Sequence, residues 1–194
     1  MRTGVFGGTF DPPHIGHVAS ALEVGYRLEL DRVLMVVAND PWQKSGDRCI
    51  TDADARLALV RLAIDGLDNL VASDIEIRRG GESYSVDTLQ HLKEADPDDH
   101  LFLLVGSDAA AGLLSWKHPG ELMELATTVL MRRGGRGGSK PPQDWPHVSI
   151  DVPALEISSS DLRNRFREGR PVEALMRRSV VSEIRRLGLY GATR

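Results

Sequence analysis

A rhythm in the sequence limits what this chain can fold into. Short apolar or β-branched runs occur at Thr3 to Phe6, Val33 to Val37, Leu70 to Ile77, Leu101 to Val105, Thr128 to Met131 and Val148 to Val152. Several are continuous rather than alternating, as expected of strands buried on both faces. The longer stretches between them read as helices. Ile15 to Leu28 is the first, and Asp52 to Ile64 follows, opened by Thr51 with Asp54 three residues on. Tyr84 to Ala95 places Val86, Leu89 and Leu92 on one face. Strand and helix alternating at this spacing predict right-handed βαβ units and an α/β, doubly wound, mostly parallel sheet. Ligands of such sheets sit beyond the carboxyl ends of the strands, where strand order reverses. The loops after the first, second and fourth strands are therefore expected to carry function.

Two segments break the rhythm. Gly134 to Pro146 (GGRGGSKPPQDWP) predicts an irregular, mobile loop. From Ser158 onward the pattern is helical, ending in Ser179 to Leu187 with Gly188 as a C-terminal cap. We expect one domain over 1–194, with residues 1–152 as its sheet-based core and 153–194 as a C-terminal helical part. A length of 194 residues, 41% of them hydrophobic and 27% charged, suits one packed core. A formal net charge of −4 argues against nucleic acid bound by broad charge neutralisation. The single cysteine, Cys49, excludes an internal disulfide and a zinc site of several thiolates. No run approaches the ~20 apolar residues of a membrane span, and no apolar signal core follows Met1-Arg2-Thr3. The expectation is a cytoplasmic protein with no nucleic acid or membrane as partner; self-association stays open.

The richest stretch is Gly7-Gly8-Thr9-Phe10-Asp11-Pro12-Pro13-His14-Ile15-Gly16-His17, between the first strand and the first long helix. Two glycines let backbone approach a ligand closely, and N–H groups at the turn and helix start suit phosphate oxygens. Asp11 can cap the helix. His14 and His17 are three apart and share a helix face near its positive end. Gly16 removes a side chain where a nucleotide could lie flat. A Gly-Gly turn alone is usually only a turn, and two histidines can equally be surface residues or metal ligands. The His-Glu-x-x-His, Gly-x-Gly-x-x-Gly and Walker lysine patterns are absent here, which excludes the corresponding metalloprotease, dehydrogenase and P-loop readings.

Three more elements stand out. In Ile157-Ser158-Ser159-Ser160-Asp161-Leu162-Arg163, Ser158 can cap a helix with Asp161 closing the box, leaving the hydroxyls of Ser159 and Ser160 free. Arg163, one turn in, can add a guanidinium to an anion held there. Pro41-Trp42-Gln43-Lys44 follows the second strand, and its lysine taken alone reads as merely solvated. Ser83-Tyr84-Ser85-Val86-Asp87-Thr88-Leu89 joins Gly106-Ser107-Asp108 and Trp116. Asp108 stands just past the fourth strand, where an acidic group can bind ribose hydroxyls. Tyr84 and Trp116 would by default be core aromatics.

Together these elements resemble the nucleotidylyltransferase superfamily, marked by His-x-Gly-His after the first strand. Within it the chain is most similar to bacterial nicotinate mononucleotide adenylyltransferases. The resemblance implies a Rossmann-like fold and transfer of AMP from ATP to nicotinate mononucleotide, with Mg2+ held mainly by the ATP phosphates and no protein metal site. It implies catalytic roles for His14, His17, Lys44 and Arg163. It implies ATP contacts from Gly7, Gly8, Thr9, Phe10, His14, Gly16, His17, Asp108, Arg133, Ser158, Ser159, Ser160 and Arg163. Acceptor contacts are implied for Thr9, Asn39, Trp42, Lys44, Tyr84, Ser85, Thr88, Ser107 and Trp116. Departures from the family pattern are Ser160 and Ser85 in place of threonines, Ala38, Trp42-Gln43, Gly134 after Arg133, and Arg177. The rival readings are a transferase with another acceptor (phosphopantetheine, nicotinamide mononucleotide or a cytidylyl acceptor) and a nucleotide-binding regulator without turnover.

Overall fold

The computed structural model describes residues 1–41, 50–134 and 139–192. Six strands form its centre: β1 (Arg2–Gly8), β2 (Arg32–Val37), β3 (Leu70–Ser73), β4 (His100–Gly106), β5 (Thr127–Arg133) and β6 (His147–Val152). They make one sheet in the order β3-β2-β1-β4-β5-β6, and every pairing is parallel. This is the doubly wound order, with its reversal between β1 and β4. The continuous apolar runs follow directly from this architecture. Val33, Met35 and Val37 pack into one core layer, whereas Leu34 and Val36 pack into the other. β4 divides the same way, Phe102 and Leu104 against Leu101, Leu103 and Val105. A strand covered on both faces has no polar side to alternate with.

The first layer is closed by α1 (Ile15–Arg27), α2 (Ala53–Ile64), α7 (Ser159–Arg167) and α8 (Arg178–Leu187). The second is closed chiefly by α4 (Ser85–Ala95) and α6 (Pro119–Leu125). The short α3 (Ile75–Arg79) and α5 (Ser107–Ala110) follow β3 and β4. Helix α8 ends as expected on Gly188, which adopts the left-handed conformation at φ 63°.

Several boundaries differ from the expectation. The run Leu70 to Ile77 is a strand only to Ser73, and Ile75 onward coils into α3. A short apolar run cannot be told from a buried helical turn by periodicity alone. Helix α2 is capped by Asp52, not Thr51; the Asp52 carboxylate accepts from the N–H groups of Asp54 and Ala55 at 3.0 and 3.1 Å. Helix α1 is capped at His14, so Asp11 does not cap it. Within the Gly/Pro-rich segment, Trp145 is buried and donates its indole N–H to Thr128 Oγ1 at 2.9 Å, which anchors that end against β5. No helix among the described residues is long and apolar enough to cross a membrane.

Candidate active site

The carboxyl ends of β1, β2, β4 and β5 face one side, and the loop after β1 runs through its middle. Gly7 and Gly8 do different work there. A Cβ on Gly7 would meet nothing within 4 Å, whereas one on Gly8 would lie 2.8 Å from Phe10 Cζ. Phe10 turns back over Gly8 in the left-handed region, at φ 48°, and is buried. Its ring meets the His17 ring nearly edge-on, centroids 5.1 Å apart. Phe10 is thus the wall against which His17 rests.

The two histidines lie together as the spacing predicts. Their rings stack with centroids 3.7 Å apart and an interplanar angle of 26°. The backbone N–H of His14 donates to His17 Nδ1 at 3.2 Å. With Nδ1 accepting, the proton of a neutral His17 ring sits on Nε2. His14 is buried, and among the described residues its Nδ1 has no hydrogen-bond partner. Burial, reinforced by the positive field of Arg133, lowers its pKa to about 4, so the ring is neutral near pH 7. Gly16 has a different job from the one expected. A Cβ there would press to 3.0 Å on His14 Nδ1, so its bareness makes room for the imidazole.

The serine-headed helix α7 joins this loop from the far end of the chain. Ser159 Oγ donates to the Pro12 carbonyl at 2.8 Å, and Arg163 Nη1 donates to the Asp11 carbonyl at 2.7 Å. Arg163 Nη2 also donates to Ser160 Oγ at 3.0 Å. The guanidinium and the Ser159 hydroxyl are therefore engaged with the loop, whereas Ser160 Oγ accepts from Arg163 and keeps its proton to donate. Ser158 caps the helix, accepting from Asp161 N–H at 3.1 Å, but the Asp161 carboxylate turns to Arg165 at 2.6 Å and leaves the box open. Tyr190 adds a third tie, its hydroxyl donating to the buried Asp11 carboxylate at 2.7 Å.

These parts enclose a cavity of about 330 Å³ lined by Gly7 to Asp11, His14, His17, Asp108, Arg133, Ser158 to Ser160 and Arg163. Asp108, largely exposed, faces Arg133 with 4.0 Å between Oδ2 and Nη1. A second cavity of about 230 Å³ shares Gly7, Gly8 and Thr9 with the first. Its other walls include Ala38, Pro41, Glu76, Ser83, Tyr84, Ser85, Trp116 and Lys117. Tyr84 and Trp116 are half-buried: they pack against the second core layer and also line this space. Lys117 pairs with Asp87 at 3.0 Å and sits 4.5 Å over the Tyr84 ring.

Three of the sequence-predicted acceptor residues line neither cavity. Thr88 lies beneath the second one, donating to Glu76 at 2.7 Å and accepting from Arg79 at 3.2 Å. Burial raises the pKa of Glu76, opposed by its hydrogen bonds from Ser83 and Thr88. Asn39 is an anchor: its N–H donates to Ser83 Oγ at 2.8 Å and its amide to the Gly81 carbonyl at 2.9 Å. Ser107 opens α5 at the end of β4. Trp42 and Lys44 lie outside the described residues.

Sequence reasoning missed Arg56, Glu76, Lys117 and Tyr190. For Arg56 a signal existed, because it shares the apolar face of α2 with Leu59, Val60 and Ala63. Among the described residues, no group of three or more His, Cys, Asp or Glu side chains could hold a metal ion.

A family model described as cytidylyltransferase-like matches residues 5–165. A relative from Corynebacterium kroppenstedtii, named probable nicotinate-nucleotide adenylyltransferase, is 40% identical over 97% of this chain and 90% of its own length. The chain belongs to the nicotinate-nucleotide adenylyltransferases. A Thermus thermophilus relative of the same name is also 40% identical, over 98% of this chain and all of its own. In fold, the chain is similar to the Plasmodium falciparum nicotinic acid mononucleotide adenylyltransferase solved with NaAD. That match has a TM-score of 0.80 at 18% identity, over 99% of this chain and 98% of the other. The Rossmann-like fold expected of this adenylyltransferase family is thus present.

Proposed function

We propose that the protein transfers the AMP of ATP to nicotinate mononucleotide, forming nicotinate adenine dinucleotide and releasing pyrophosphate. One observation carries the reading: two cavities meet at Gly7, Gly8 and Thr9, one polar and flanked by the histidine stack, the other flanked by Tyr84 and Trp116. A donor triphosphate in the first and an acceptor mononucleotide in the second bring their phosphates to that shared edge.

The acceptor phosphate oxygen attacks the α-phosphorus in line, and the bond from the α-phosphorus to the α,β-bridging oxygen breaks as pyrophosphate leaves. The nucleophile arrives anionic, so no general base is needed. The protein's task is to hold two repelling anions in line and to stabilise charge on the transferring group. His17 donates from Nε2 to that group, and neutral His14 holds His17 in place by stacking. Arg133 and the N–H groups opening α7 bind the triphosphate. Arg163 holds the Asp11 carbonyl in register with that helix, as Ser159 holds that of Pro12, and we assign Lys44 to supply positive charge to the phosphates. We assign the divalent cation as Mg2+; it would enter with ATP, held mainly by the phosphates rather than by protein side chains, and would screen their charge. Tyr84, Ser85 and Trp116 take the pyridine moiety.

The test is a coupled assay for pyrophosphate and dinucleotide with ATP or CTP against nicotinate mononucleotide, its amide and phosphopantetheine. Product with ATP and nicotinate mononucleotide above all other pairs is expected. His17→Ala should lower kcat by roughly 10²–10³, the scale for one lost transition-state donor. Preference for another pair refutes the acceptor, and an activity within about threefold of wild type removes His17 from the mechanism.

A further inference from the structure

We infer that Arg56 is a positioning residue that sets the separation of the two nucleotide cavities, an assignment that rests on the adenylyl-transfer reading. Among the described residues Arg56 is the largest wholly buried side chain, 1% exposed, although it sits in the apolar face of a helix. Its guanidinium spreads over three backbone carbonyls in three separate segments. Nη1 donates to Thr9 at 2.8 Å, Nη2 to Asn39 at 3.2 Å and Nε to Thr51 at 2.7 Å.

These carbonyls are not arbitrary points on the backbone. Thr9 is one of the three residues that border both cavities. Asn39 leads from β2 toward the wall of the second cavity at Pro41 and is tied to Ser83 in the opposite wall. Thr51 precedes the cap of α2. One rigid, planar fork therefore fixes the distance between the edge where the phosphates meet and the loop flanking the acceptor. Burying a guanidinium is unfavourable unless its donors are satisfied, and an aliphatic residue would suit this helix face better for packing alone. Only arginine offers several donors in fixed directions; a lysine ammonium is a single point and cannot span the three carbonyls. In-line transfer is sensitive to such spacing, since a displacement of about 1 Å from a remote change can cost about 10²-fold in rate.

The experiment compares wild type with Arg56→Lys, with thermal unfolding used to normalise for folded protein. Arg56→Lys should lower kcat about 10- to 100-fold. The Kd values for the α,β-methylene analogue of ATP alone and for nicotinate mononucleotide alone should stay within about threefold of wild type. A purely structural role would move the melting temperature and leave kcat per folded molecule near wild type, and that result overturns the assignment. So does a Kd for either nucleotide weakened about tenfold with kcat unchanged. Hydrogen exchange on the wild type gives a second reading that does not require the variant to fold. With the ATP analogue alone, amides of residues 38–40 and 50–52 should slow together with those of the non-proline residues of 9–14. Protection confined to 9–14 refutes the coupling. A wild type that makes no dinucleotide sinks the functional reading, whereas an active wild type matched by Arg56→Lys sinks only this one.

Discussion

His14 should make the protein lose stability as the solution is acidified, in a window set by its burial. The ring is 3% exposed and its pKa is lowered from 6.5 to about 4. Between those values the unfolded chain takes up a proton at His14 that the native protein does not. The stabilisation from a neutral, buried ring is therefore complete above pH 6.5 and falls as pH drops, until the native ring itself titrates near 4. At about 1.4 kcal/mol per unit of difference, the loss is about 2 kcal/mol between pH 7 and pH 5 and about 3 kcal/mol in all. His14→Asn removes the titration while leaving a residue well suited to the helix N-cap that His14 occupies. Urea unfolding of both proteins at pH 7, 6 and 5 reads the difference. The wild type should lose about 2 kcal/mol more than the variant over that range. Parallel losses would show that the buried ring is not the titrating group and would refute the reasoning from burial.

The Thr88→Val change keeps the β-branched shape and removes the hydroxyl on the buried Glu76 carboxyl; it should destabilise by about 1–3 kcal/mol in denaturant titration, and a loss under about 0.5 kcal/mol would mean that the carboxyl is satisfied without it. Tyr190→Phe removes the donor to buried Asp11 and should lower stability by about 1–3 kcal/mol; an unchanged melting temperature would show that the C-terminal segment does not brace the histidine loop. Gly8→Ala places a methyl group 2.8 Å from Phe10, so it should cost about 1–3 kcal/mol and lower kcat by tilting the wall behind His17. Gly7→Ala meets nothing within 4 Å and should leave the melting temperature nearly unaltered; equal effects of the two alanines would contradict this division of labour.

Much of the site could be read from the chain because its chemistry is local. The histidine spacing and the serine cap at Ser158 are patterns of side-chain type at short separation, whereas Tyr84 and Trp116, 32 positions apart, read by default as core aromatics. The ties between segments were another matter. Arg163 and the Ser159 hydroxyl looked like phosphate ligands because the carbonyls of Asp11 and Pro12, about 150 positions away, leave no mark in a motif. Arg56 was missed for the same reason, since the carbonyls of Thr9, Asn39 and Thr51 that it holds are groups any residue supplies. Gly16 was read as space for a nucleotide when the space belongs to His14.

The order of apolar runs and amphipathic helices was by itself enough to determine a parallel, doubly wound sheet, because a strand covered on both faces admits no polar alternation. Which loops touch, how the histidine turn is held to the serine-headed helix, and how far apart the two cavities stand were decided only in three dimensions. Those distances depend on hydrogen bonds to main-chain oxygens. Every residue type carries such an oxygen, so no sequence pattern announces which one will be used.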